Sequence, residues 1–159
     1  MYTHKFIIPD NVRLFLTHED YIILTEVGLP TQILAQTFVY NEEVLIKDDC
    51  VILGSNTHVS DWLLKVSLSD RSVFYAGKGM VSEEVYCFYN TNLKNLHLSL
   101  FSYNFFIHRL ITTSLLGDYH LHYKKYANLL HDLIFDIDIQ STKEGVWCGL
   151  INEMKIGTF

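Results

Sequence analysis

THEDYIILTEVGLP, residues Thr17 to Pro30, writes out a short helix with both of its ends marked. Thr17 is an N-cap residue whose hydroxyl accepts an exposed first-turn amide, and Asp20, in the third helical position, reaches back to the cap amide as a capping box. Ile23, Leu24 and Val27 fall on one side of that helix. Gly28 takes the left-handed conformation that ends it, and Pro30 forbids its resumption. Upstream, Asp10 to Leu16 predicts a helical turn packed beside the capped helix.

Beyond this helix the hydrophobic period changes. Thr37 to Tyr40 and Val51 to Leu53 are rich in β-branched and aromatic residues and predict short strands, with Gly54-Ser55-Asn56 and Ser60-Asp61 as the loop that follows. Trp62 to Leu68 predicts a strand, Ser69 to Ser72 a turn, and Val73 to Ala76 the returning strand. Gly77-Lys78-Gly79 reads as a second turn that uses glycine for positive φ, before a strand from Glu84 to Tyr89. Aromatics on both faces of that strand, Tyr89 on one and Tyr86 with Phe88 on the other, predict a sheet covered in part on its second side.

After Asn90 the period becomes helical. Leu93, Leu96, Leu100, Tyr103, Ile107 and Leu110 recur at three- and four-residue steps, with Phe101 and Phe105 widening the stripe and Asn90 or Asn92 as the cap. A helix from about Tyr119 to Ile134 carries Tyr119, Tyr123, Tyr126, Leu130 and Leu133, and a last one buries Trp147, Leu150, Ile151 and Met154. The order predicts one α+β domain over residues 1–159, a central antiparallel meander flanked by an N-terminal capped helix and C-terminal helices.

Twelve basic against eighteen acidic residues leave a formal charge of −6. This argues against a nucleic-acid partner, whose backbone asks for a basic surface, and suits a basic protein; solubility alone is the plainer explanation of the same charge. No apolar run reaches the length of a membrane span, and the N-terminus, with Pro9 and Asp10 close behind Ile8, reads as lacking a signal peptide. Cys50, Cys87 and Cys148 are widely spaced and form no CxxC pair, which predicts reduced thiols among apolar neighbours and a cytoplasmic chain.

Few residues invite chemistry. Asp118, His120 and His122 could meet at a metal only if extended, because residues two apart on a helix point away from each other. Asp136 and Asp138 form a DxD, read as a surface turn closing a helix rather than as a cation site. Ser60-Asp61 with His58, and Cys50 with distant histidines, lack the strained turn of a nucleophile elbow, and Gly77-Lys78-Gly79 lacks phosphate-loop spacing. The expectation is no catalytic group, no metal and no cofactor. Glu42, Glu43, Asp48, Asp49, Asp61, Asp70, Glu83 and Glu84 are expected in loops and turns around the meander, where they could form one negative rim. Trp62, at a strand start, reads either as core or as an exposed binding anchor of the kind enriched at interfaces.

The order of elements resembles the SUKH superfamily, and within it the fourth group of its immunity proteins. The matching pieces are TEVGLP at Thr25 to Pro30, VILG at Val51 to Gly54, the strand pair with its turn, YNTNLKNL at Tyr89 to Leu96, and FDIDIQS followed by GVWCGLINEM from Gly145 to Met154. The chain departs from that pattern at Ile139, where proline is common, and at Ser55-Asn56, where an acidic residue is common. The resemblance implies a SUKH-like domain that binds and neutralises a bacterial toxin, a nuclease in many such systems, by stoichiometric binding without turnover. The acidic residues and Trp62 would be the partner-binding set, on a monomer or weak homodimer. The competing readings are an interaction module of the same fold with no toxin target and, more remotely, a metal-dependent enzyme.

Overall fold

A computed structural model describes residues 3–31, 38–56, 61–79, 83–114 and 119–158. The chain opens with β1 (Thr3–His4), α1 (Asp10–Arg13) and α2 (His18–Ile22). The capping box is formed: Thr17 Oγ1 accepts the Asp20 amide at 3.1 Å and Asp20 Oδ2 accepts the Thr17 amide at 3.3 Å. The Arg13 guanidinium lies 4.6 Å over the Tyr21 ring, joining the two short helices.

The end of the capped helix differs from the expected one. A wider π-helical turn, Ile23–Val27, follows α2 and is closed by the Gly28 amide donating to the Ile23 carbonyl at 2.7 Å. This five-residue repeat re-phases the side chains, so Ile23 and Leu24 are buried while Val27 is exposed. Gly28 has φ 80° and ψ 167°, a positive-φ extended form rather than the left-handed helical one. A Cβ there would lie 2.6 Å from the His4 carbonyl oxygen, so glycine lets β2 (Leu29–Pro30) close against β1.

The main sheet has five antiparallel strands in chain order: β3 (Phe38–Lys47), β4 (Cys50–Asn56), β5 (Leu63–Ser67), β6 (Val73–Lys78) and β7 (Glu84–Asn90). This is the expected meander, lengthened by a hairpin that the residue types conceal. Asp48 and Asp49 have φ of 51° and 55° and join paired Lys47 and Cys50, as the two-residue turn of a tight hairpin requires. Glu42 and Glu43 therefore lie inside a strand and not in a loop, beside a register shift between Tyr40 and Leu45. Gly54, Ser55 and Asn56 belong to β4 rather than to the loop after it. Gly77 and Lys78 likewise extend β6, pairing with Val85 and Glu84. Gly77 is required for space, not for positive φ: a Cβ would lie 2.6 Å from Cγ of Trp62, whose ring packs there against the core. Thr37, His58 and Ser60 lie outside the described residues.

Helices α3 (Leu93–Ser114), α4 (Tyr119–Ile137) and α5 (Gly145–Ile156) follow, with a 3-10 turn, Ile139–Thr142, before the last. Asn92 caps α3, its Oδ1 accepting the Asn95 amide at 2.8 Å. The predicted stripe from Leu93 to Leu110 is buried throughout, but Phe101 and Phe105 face solvent, so the stripe is narrower than expected. On α4 the buried line is Ala127, Leu130 and Ile134; Leu133 is exposed. Trp147, Ile151 and Met154 close the core from α5. No helix among the described residues is long and apolar enough to cross a membrane.

Candidate protein-interaction surface

Strand register sorts the sheet into two faces. Val51, Val66, Val73 and Asn90 form one cross-strand row, all buried beneath the helices. The alternate row, Leu45, Ile52, Lys65, Phe74 and Phe88, belongs to a face that stays open at its margins, where Leu45, Val39 and Tyr86 are 48%, 55% and 61% exposed.

A hollow of 480 Å³ lies at the Asp48-Asp49 end of this open face. Its floor is Phe74, Tyr86 and Phe88, with the Phe74 and Tyr86 ring centroids 5.7 Å apart. Asp48, Asp49, Asp70 and Glu144 are its charged residues, and no basic side chain lines it among the described residues. The turn fixes Asp70, whose Oδ1 accepts the Ser72 hydroxyl at 2.8 Å and amide at 3.1 Å; these bonds, with others from Ser67, hold its carboxyl below the ordinary range and keep it charged. Glu144 is held by the side-chain amide of Gln140. Cys50 lines the same hollow. Burial pushes its thiol up, against the opposing pull of Lys65 and with the neighbouring aspartates, so it stays protonated.

A second hollow on this face, of 540 Å³, is balanced in charge: Lys47, Lys65 and Lys78 stand among Asp48, Asp61 and Glu84. Lys65 Nζ lies 3.6 Å from Glu84 Oε1. Glu84 also takes a hydrogen bond from the Tyr86 phenol, which raises the pKa of that phenol. A third hollow, of 400 Å³, runs between β7 and the start of α5.

No family model, curated protein or solved structure matches this chain.

The acidic residues are spread over two hollows: Asp49 and Asp70 line the aromatic-floored one, Asp61 and Glu84 the balanced one, and Asp48 lines both. Glu83 is exposed just before β7, its carbonyl accepting the Gly79 amide at 2.8 Å. Glu42 and Glu43 line none of the three hollows and sit beside the N-terminal segment, where the Ile7 amide donates to the Glu42 carbonyl at 2.9 Å. Trp62 lies on the core side, over Gly77, away from the open face. Sequence reasoning missed Glu144, which is remote in the chain, and the part of Phe74, Tyr86 and Phe88 as a floor. The alternation of β7 was their signal.

The DxD is split by the fold. Asp136 is exposed on α4, whereas Asp138 is buried, which corrects its reading as a surface turn. Asp138 Oδ2 accepts the Thr91 amide at 2.7 Å, the Thr91 hydroxyl at 3.1 Å and the Asn90 side-chain amide at 3.1 Å. Burial raises its pKa, but these bonds together with Ser141 outweigh that, and the carboxyl is held below its ordinary value. Asn90 is the hub: its Nδ2 also reaches Ser99 and Ser141, and its Oδ1 accepts the Trp147 indole N–H at 2.9 Å. Asp138 is thereby committed to holding the fold. Asp118 and the His120 side chain lie outside the described residues, among which no group of three or more His, Cys, Asp or Glu residues could hold a metal.

Proposed function

We propose that this chain is a SUKH-type immunity protein that neutralises a bacterial toxin by stoichiometric binding through the open face of its sheet. The observation that carries the reading is the aromatic-floored hollow with four carboxylates, Asp48, Asp49, Asp70 and Glu144, and no lining base among the described residues. Such a surface attracts a basic protein at long range and, on contact, accepts arginine or lysine stems over its rings. A nuclease toxin must carry the basic surface that holds nucleic acid, so an acidic plug suits its binding cleft or the margin of it. The overall charge of −6 favours the same class of partner. The α+β order, meander then helices, agrees with the SUKH resemblance in its motifs.

Co-expression with the toxin encoded beside this gene is the test. Protection of the host and a one-to-one complex by light scattering are expected. A lethal neighbouring toxin that is neither bound nor neutralised would refute the proposal.

A further inference from the structure

We infer that the groove between β7 and α5 receives an extended basic segment of the protein partner as an added strand. The inference rests on the partner-binding reading above and assigns that partner a shape. β7 is the last strand of the sheet, and an edge strand presents backbone N–H and C=O groups on its free side. Among the described residues the start of α5 shields the far end of that edge: a Cβ on Gly145 would lie 2.1 Å from the Phe88 carbonyl oxygen. Glu84, Val85 and Tyr86 remain exposed before it.

Gly149 forms part of the opposite wall of the groove. It sits inside α5, where glycine is a weaker helix former than alanine. Nothing in the fold demands it there: its φ is not positive and an added Cβ would meet nothing within 4 Å. A residue that weakens its helix and leaves the wall flat keeps room for something laid alongside.

Charge and alternation select the occupant. The only charged residues lining the groove among those described are Glu144 and Glu153, and the groove shares Tyr86, Phe88 and Glu144 with the acidic hollow. Side chains of an added strand alternate between faces. One set would point toward the acidic hollow, and the other toward Val146 and Leu150 of α5. The segment that fits alternates basic with apolar residues. A second copy of this chain fits poorly, because β7-to-β7 pairing would bring the acidic groove with Glu144 and Glu153, and Glu84 beside it, against an equally acidic copy.

The experiment titrates the full-length, ¹⁵N-labelled protein with a short, end-blocked peptide alternating lysine with valine, and follows amide shifts and hydrogen exchange. Saturable binding that protects amides within residues 84–88 is expected. The same peptide N-methylated at every second amide should not bind, a comparison that leaves the protein untouched. Gly149→Phe should weaken binding by about tenfold or more, and Gly149→Ala, which adds one methyl group to the wall, should weaken it by less while melting no lower. Equal binding of the N-methylated peptide overturns strand addition, and so does protection confined to other strands or β7 protection that rises with protein concentration alone. The two proposals fail separately. If Gly149→Phe, still folded, holds the neighbouring toxin at full affinity, the groove is excluded and the immunity reading stands. If the parent protein binds the peptide along β7 but not the toxin, the groove stands and the immunity reading falls.

Discussion

Tyr89 and Tyr86 belong to the same strand and serve opposite ends. Tyr89 is 2% exposed, with the Trp147 ring 5.9 Å away and its carbonyl accepting the Ser141 hydroxyl; Tyr86 is 61% exposed and is bonded through its side chain only to a neighbour on its own strand. Tyr89 is tied to the C-terminal elements through Trp147 and Ser141, as well as to Tyr75 on the neighbouring strand. Tyr86 meets Glu84 on its own strand and Phe74 on the neighbouring one. A side chain held by remote partners transmits any change to the whole fold. One held locally is free to serve another molecule.

The contrast is tested most severely at Trp147. It is fully buried between Tyr89 and Tyr103 and donates to Asn90, so Trp147→Ala removes packing and leaves the Asn90 carbonyl without its donor. A loss of about 3–5 kcal/mol is expected in a urea titration, a large share of ordinary domain stability. A near-neutral result would mean that the buried face is not the scaffold.

Acid should reach the same face next. The Asp138 carboxyl is held below its ordinary value of 3.8. A group whose folded value is depressed adds stability that is fully present above the unfolded value and is lost as pH falls through the folded one. Asp138→Asn should therefore melt lower than the parent at neutral pH. The gap should stay constant down to a pH near the unfolded value and narrow below it as Asp138 itself takes up a proton. A gap that is the same at every pH would show that the charge of Asp138 contributes nothing.

The two faces also differ in how much of them the sequence displays. The capping box, the meander, the leucine stripe of α3 and the terminal tryptophan helix are local patterns, and each is legible because short-range periodicity creates it. The open face is legible in part. Its acidic residues stand out, but their grouping depends on strand register, which a bulge in β3 and the Asp48-Asp49 turn both shift. Two aspartates in succession read as a solvated loop until their positive φ makes them a hairpin. Glu42 and Glu43 read as loop because charged residues are poor strand formers, and their bridge to Ile7 of the N-terminal segment overrides that preference. Asp138 reads as a surface residue for a related reason. Its burial comes from Asn90 and Thr91, which the chain brings to it from the far side of α3, and no window of sequence contains all three.

The smallest effect on stability should come from the change that most affects recognition. Asp48 and Asp49 occupy the positive-φ positions of the turn between β3 and β4, a conformation asparagine adopts at least as readily as aspartate. Replacing both by asparagine keeps the hairpin and removes two of the four carboxylates lining the acidic hollow. Neither residue is in an ion pair among those described, so the unfolding free energy should stay within about 0.5 kcal/mol of the parent. Association with a basic toxin should nevertheless slow, more so at low salt, where steering is unscreened, and the difference should shrink as ionic strength rises. The same neutralisation at Glu84, which already shares its charge with Lys65, should change the rate less. If the Asp48 and Asp49 double variant associated as fast as the parent at low salt while the Glu84 variant slowed, the partner would approach over the part of the balanced hollow away from Asp48, which lines both hollows. The acidic one would then be only a consequence of a tight turn built from aspartates.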